Sequence, residues 1–189
     1  MLRDMSDVVQ FYHEMKSKWG DYNVPIIMER SYEYKFFIEG MNFPKSYSDF
    51  VERFEVEGVF IGALVLTPYP NMDLAENLIK LNSIEKNPLI PHDMFHIADF
   101  EGDLILMGAM GNSHYADGVY YIDISTGNFS IPEKIVDNFE DFIILASNIH
   151  SINIEGSDDN AKEISDVITE NFHKLSDSEI KIWEKMSVI

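Results

Sequence analysis

Phe95-His96-Ile97-Ala98-Asp99-Phe100-Glu101-Gly102-Asp103-Leu104-Ile105-Leu106-Met107 is the stretch on which the fold turns. Two short apolar runs flank a polar, glycine-bearing turn at residues 99–103. That pattern predicts two antiparallel strands joined by a hairpin. Downstream, a glycine-bearing loop at residues 108–118 leads to Val119-Tyr120-Tyr121-Ile122-Asp123-Ile124, a third strand. Ser125-Thr126-Gly127-Asn128 then turns the chain into Phe129-Ser130-Ile131. Upstream, Gly58 and Thr67-Pro68 bound the apolar run Val59–Leu66, which predicts one buried strand.

Helical patterning brackets these strands. Ser6 is expected to cap a helix carrying Val8, Val9, Tyr12, Met15 and Trp19 on one stripe and stopping at Gly20. Residues 21–29 read as a connection. Residues 31–39 fit two patterns: Tyr32, Tyr34, Phe36 and Ile38 alternate as in a strand, while Glu33, Phe36, Phe37 and Gly40 suit a short helix with its stop. Pro44 opens a helix with Tyr47, Phe50, Val51 and Phe54 on its buried face. Asp73 to Asn82 forms another, with Leu74, Leu78 and Leu81, before Asn87-Pro88 and Pro91 force a loop. From Phe139 the period is again helical, with Phe142, Ile143 and Ala146. Polar residues 155–160 mark an internal boundary. Beyond it, Ile164, Val167, Ile168 and Phe172 line one helix. Ser176 and Glu179 form a capping box before Ile180, Trp183 and Met186 in the last.

The predicted fold class is therefore α+β, a mostly antiparallel β-sheet flanked by helices, with an N-terminal helix and two C-terminal helices added. Residues 1–154 form the main domain. Residues 155–189 form a helical extension docked on it, since its apolar stripes need a surface to cover.

The 189 residues hold 33 acidic against 14 basic side chains, a formal charge of −19, with 46% hydrophobic residues and no cysteine. That hydrophobic content supports a folded core. The negative field opposes nucleic-acid binding and favours a basic protein partner, although acidity that serves solubility alone reads the same way. No apolar run approaches the roughly 18 residues of a membrane-spanning helix. The N-terminus does not read as a secretory signal. A cysteine-free chain has neither disulfides nor thiolate metal ligands and fits the cytoplasm.

Motifs for chemistry are thin. Asp99-x-Glu101-x-Asp103 resembles the start of a calcium loop, but Gly102 comes too early and Met110 stands where a bidentate Glu is required. His92 and His96 have helical metal-ligand spacing in a segment that reads as loop and strand. Ser113, His114 and Asp117 are too close in sequence for triad geometry. Gly108–Ser113 lacks the lysine and following helix of a phosphate cradle. No catalytic residue, metal or cofactor is assigned.

One charge feature exceeds background. Between Lys86 and Lys134 there is no Lys or Arg, while Asp93, Asp99, Glu101, Asp103, Asp117, Asp123 and Glu133 fall in that interval. With Phe100, Tyr115 and Tyr120 interleaved as aromatic anchors, Asp99, Glu101, Asp103 and Asp117 compose a candidate surface for a basic protein. The alternative is that these acids sit on separate loops and never form one patch.

Several short motifs resemble the SUKH superfamily. Phe43-Pro44-Lys45-Ser46-Tyr47-Ser48-Asp49-Phe50 is similar to its helix start, and Phe95–Asp103 to its strand and Gly-Asp turn. Phe60-Ile61-Gly62, Gly118-Val119-Tyr120-Tyr121 and Phe139-Glu140-Asp141-Phe142 complete a series over about residues 30–146. Glu55-Val56-Glu57-Gly58 departs from the Asn-Gly pair expected after the first family helix, and the terminal helices lie outside the shared core.

The resemblance implies a cytoplasmic immunity protein that binds a cognate bacterial polymorphic toxin, often a nuclease, without a cofactor. It assigns no contact residues, because those differ between members. A non-catalytic regulatory or scaffold module and an enzyme with a pocket near Asp99 to Asp117 are the competing expectations.

Overall fold

A computed structural model describes residues 1–19, 25–67, 72–83, 89–111, 114–115, 117–124, 131–156, 159–171 and 175–187. In chain order the elements are α1 (Met5–Trp19), β1 (Met28–Glu29), α2 (Lys45–Arg53), β2 (Phe54–Glu55), β3 (Phe60–Ile61), β4 (Leu64–Leu66) and α3 (Leu74–Leu81). They continue with β5 (Met94–Phe100), β6 (Asp103–Gly108), β7 (Val119–Ile122), β8 (Glu133–Val136), α4 (Phe139–Glu155), α5 (Asn160–Asn171) and α6 (Asp177–Ser187). The fold is α+β. Strands β3 to β8 form one six-stranded antiparallel sheet in chain order, and β1 pairs with β2 in a separate ribbon.

The central hairpin forms as its sequence predicts. Phe100 faces Asp103 across a two-residue turn in which Glu101 (φ 50°) and Gly102 (φ 96°) both take positive φ, the requirement of a type I′ turn. The apolar run at residues 59–66 is corrected from one strand to a hairpin. Gly62 at φ 61° turns the chain so that Ile61 pairs with Leu64 and Phe60 with Val65.

Other boundaries move for local reasons. Asp4, not Ser6, caps α1: its carboxylate accepts from the N–H groups of Asp7 (3.1 Å) and Ser6 (2.8 Å), which hold its pKa below the usual carboxylate range. Pro44 is the N-cap of α2 and not its first helical residue. Part of the 21–29 connection becomes β1, Met28 facing Glu55. The last strand is Glu133–Val136, with Ile131 outside it. The turn and strand expected at residues 125–130 lie outside the described residues, as do Gly20 and Phe172. Residues 31–39 are neither helix nor strand. Tyr34, Phe36 and Ile38 do alternate toward the core while Tyr32 is exposed, and among the described residues no strand pairs with them.

The main core lies between one sheet face and the helices. It includes Val8 and Tyr12 of α1, Tyr47, Phe50 and Val51 of α2, and Phe142, Ile143 and Leu145 of α4. A relay of rings crosses it. Phe36 meets Phe43 (5.3 Å between centroids), Phe43 meets Tyr47 (5.3 Å), Tyr47 meets Phe139 (4.9 Å), Phe139 meets Phe142 (5.9 Å) and Phe142 meets Trp183 (5.7 Å). Each such pair contributes about 0.5–1.5 kcal/mol beyond its burial. The opposite face carries a smaller cluster of Met94, Leu104, Leu106, Tyr120 and Ile122, with Leu89, Ile90, Tyr115 and Ile124 against it.

The C-terminal helices pack on the main core. Ser176 and Glu179 form the expected capping box, with Ser176 N–H donating to Glu179 (2.6 Å) and Glu179 N–H to Ser176 Oγ (3.4 Å). Trp183, 1% exposed, donates its Nε1–H to the carbonyl of Ile135 at 2.9 Å. Ile135 is the residue left over where the β7–β8 register jumps from Val119–Val136 to Tyr120–Lys134. Trp183→Phe is expected to lower unfolding free energy by about 1–3 kcal/mol, because it orphans that buried carbonyl and leaves a void. Urea denaturation checks this, and an unchanged midpoint would mean the carbonyl does not depend on Trp183.

Candidate functional site

The hairpin that groups Asp99, Glu101 and Asp103 in sequence separates them in space. Paired residues in an antiparallel ladder share a face. Asp99 is opposite Leu104, on the face of the small cluster, whereas Asp103 is opposite Phe100, on the main-core face. Glu101 is exposed at the tip between them. The turn restarts the alternation, so the three carboxylates do not converge.

Asp99 accepts from buried His96, whose Nε2 lies 2.9 Å from its Oδ1 and 2.9 Å from the Ala98 carbonyl. Two acceptors at Nε2 place the ring proton there. Nδ1 is left buried without a hydrogen-bond partner. His96 is also at a bulge, since the β5–β6 register jumps between His96 and Ala98. Its main-chain N–H and C=O are taken by the Asn82 amide, at 2.7 and 3.0 Å. The side chain that ends α3 thus does the work of a missing strand.

Asp103 accepts from the Tyr121 hydroxyl and from the Ile124 N–H at 2.9 Å. Lys185 of α6 reaches the same cluster, donating to Asp123 and, at 2.9 Å, to the Tyr121 hydroxyl. Burial disfavours the Lys185 charge, but the bonds to Asp123 and Tyr121 outweigh it and raise its pKa. Burial and the bond to Asp103 push Tyr121 up to about 12. The stretch without Lys or Arg in sequence therefore receives a cation from a distant helix.

The predicted aromatic anchors fare unequally. Phe100 is 6% exposed and Tyr120 is 7% exposed. Both are corrected from surface anchors to core residues, because strand alternation turns them into the two opposite apolar clusters. Tyr115 is half-buried and packs edge-on against Tyr120 at 5.3 Å. Asp117 is exposed, in the loop after β6. The six residues of β6 separate that loop from the Glu101 tip, roughly 17–20 Å at strand rise. Of the seven candidates, Glu101 and Asp117 are exposed, at opposite ends of one strand. Ser113 and Asn112 lie outside the described residues.

Two hollows adjoin these elements. A groove of about 490 Å³ runs between the sheet and α6, lined by Tyr121, Asp123, Ile131, Glu133, Lys181 and Lys185 among others. A cleft of about 200 Å³ lies between the β3–β4 turn, α4 and α6, lined by Ile61, Leu64, Phe100, Ile149, His150 and Trp183 among others. His150 Nδ1 is 3.1 Å from the buried Tyr12 hydroxyl, which also lies 3.4 Å from Ser147 Oγ. Neither Lys185, which sits far from its partners in sequence, nor Asn82 and the Tyr12–His150 pair carries a local signal that sequence reading detects. Among the described residues, no group of three or more His, Asp or Glu is placed to hold a metal ion, and no helix is long and apolar enough to cross a membrane.

Comparisons with protein-family models, with curated proteins and with solved structures found no match to this chain.

Two outcomes test this geometry. Glu101→Asn is expected to raise the thermal midpoint, recovering part of the roughly 1–2 kcal/mol that a left-handed conformation costs a residue with an ordinary side chain. An unchanged or lower midpoint would show the turn is not strained. Burial lowers the His150 pKa, so its contribution to stability is complete above the unfolded value and is lost as pH falls through about 6.5 toward the folded value. Thermal midpoints between pH 7.5 and 5.5 should fall more steeply for the native chain than for His150→Gln. Parallel slopes would refute the assignment.

Proposed function

We propose that this protein is a non-catalytic inhibitor acting in the cytoplasm, an immunity protein that neutralises a cognate bacterial toxin by covering its basic surface. The observation that carries the reading is charge. At −19 over 189 residues, the molecule attracts basic proteins, steers their encounter, and repels the phosphate backbone that a nuclease would otherwise bind. Covering such a surface with carboxylates competes directly with nucleic acid.

The motif series resembling the SUKH superfamily supports the same reading. Its residues occupy structural positions here: Pro44 at the start of α2, Gly62 and Gly102 in positive-φ turns, Val119–Tyr121 in β7 and Phe139–Phe142 opening α4. They build a scaffold, which suits a protein whose function lies on its surface. Two polar groups of the hollows are engaged in structural pairs, Lys185 with Asp123 and His150 with Tyr12, and the role proposed calls for no cofactor.

The deciding experiment is co-expression with the product of the adjacent upstream gene. That product alone should arrest growth, and this protein should restore it. An upstream product that is harmless, or that stays toxic in its presence, removes the immunity reading. Several weak partners without a toxin would favour a regulatory or scaffold module. Association with the toxin should be fast at low salt and slow markedly between 50 and 500 mM salt, as charges exposed to solvent are screened over about 10 Å at 0.1 M. A salt-independent rate would remove electrostatic steering from the mechanism.

A further inference from the structure

We infer that the basic partner is gripped not at the β5–β6 turn but at the other end of the sheet, on segment 31–42 and at Met110 just after β6. This rests on the immunity reading and names its contact surface. Phe37 is 79% exposed, the most exposed of the bulky apolar residues described, and Met110 is 59% exposed. Met110 N–H donates to the Asn42 carbonyl at 2.8 Å, which stitches the loop to the end of the segment. Two large apolar side chains are thus displayed at one end of a highly charged protein.

The segment that carries Phe37 is held rigid. Its inward row of Tyr34, Phe36 and Ile38 is packed on the core, with Phe36 against Phe43 and Tyr47. Phe36 N–H donates to Glu52 at 3.0 Å, and Met41 N–H to the Ile38 carbonyl at 3.1 Å. At its start, the Arg30 guanidinium donates to the Val51 carbonyl (2.8 Å), to Glu57 (2.7 Å) and to the Tyr32 hydroxyl (3.2 Å), and lies 4.2 Å from the Tyr34 ring centroid. A side chain shown on a fixed backbone loses little entropy on contact, so its burial appears as affinity.

Charge decides the occupant. The outward row reads Glu33, Lys35, Phe37, Glu39, and Asp117 is exposed at the same end of β6 as Met110, while Lys45 is held by Asp49. Apolar anchors with a rim in which carboxylates outnumber the single exposed Lys35 fit a basic protein that has an apolar pocket at its centre. A second copy of this chain, also at −19, is repelled.

The test uses the full chain and the product of the adjacent upstream gene, with binding followed by surface plasmon resonance. The double variant Phe37→Ala with Met110→Ala is expected to weaken binding at least about 20-fold, mainly through faster dissociation, as loss of hot-spot anchors does. Its thermal midpoint should stay native, since both side chains face solvent. Glu39→Lys with Asp117→Lys is expected to slow association, and Glu101→Lys to leave both rates near native. Native affinity in the alanine variant, or losses confined to Glu101→Lys, overturns this surface while the immunity reading stands. Absence of any complex with the native chain overturns both. A Phe37-dependent dimer of the free protein by light scattering would make a second copy the occupant and overturn the proposal.

Discussion

A sheet buried on both faces has nowhere to leave an unpaired peptide group, and this constraint shapes much of the molecule. Bulges in β5 and β8 interrupt the ladder at Ile97 and Ile135. Short neighbours leave the edges incomplete. Asn82 supplies both bonds that His96 lacks, and Trp183 closes the carbonyl of Ile135. Helices α3 and α6 therefore do more than cover apolar surface. Each contributes a side chain that stands in for backbone, so their positions are fixed by hydrogen bonding as well as by packing.

Charge is organised by the same long-range contacts. Lys185 arrives from α6 to sit between Asp123 and the Tyr121 hydroxyl, with Asp103 at 4.0 Å, and Lys134 reaches Asp137 and Glu179. Each pairing neutralises one carboxylate together with one cation and leaves the net charge of −19 unchanged. Of the acids in the base-free interval, Asp103 and Asp123 are consumed by architecture, while Glu101 and Asp117 remain exposed.

Local signals carried most of the fold. The 95–107 hairpin, α2, α3 and the Ser176–Glu179 capping box rest on neighbouring residues, and all are present. Where a signal depended on partners it misled. Residues 59–66 read as one strand because the apolar run hides a turn at Gly62, and 31–39 alternates as a strand would without pairing with one. The site was less legible. Alternation along β5 predicts that Asp99, Glu101 and Asp103 share a face only if the strand continues, and the turn at Glu101-Gly102 ends it. Phe100 and Tyr120 look like surface aromatics until both faces of the sheet are seen to be covered. Exposure of Phe37 has no sequence signature, since Phe36 beside it is the one that packs.

The covering of β8 by α6 has a consequence in time. β8 ends at Val136 and α6 begins at Asp177, so a nascent chain can assemble the meander before the helix that shields its last strand has been made. Until then the Ile135 carbonyl lacks its partner from α6, and the uncovered edge strand can pair with another extended polypeptide. Self-repulsion among nascent acidic chains keeps them apart during that interval. The net charge of the finished molecule thus also works against unfinished copies joining edge to edge.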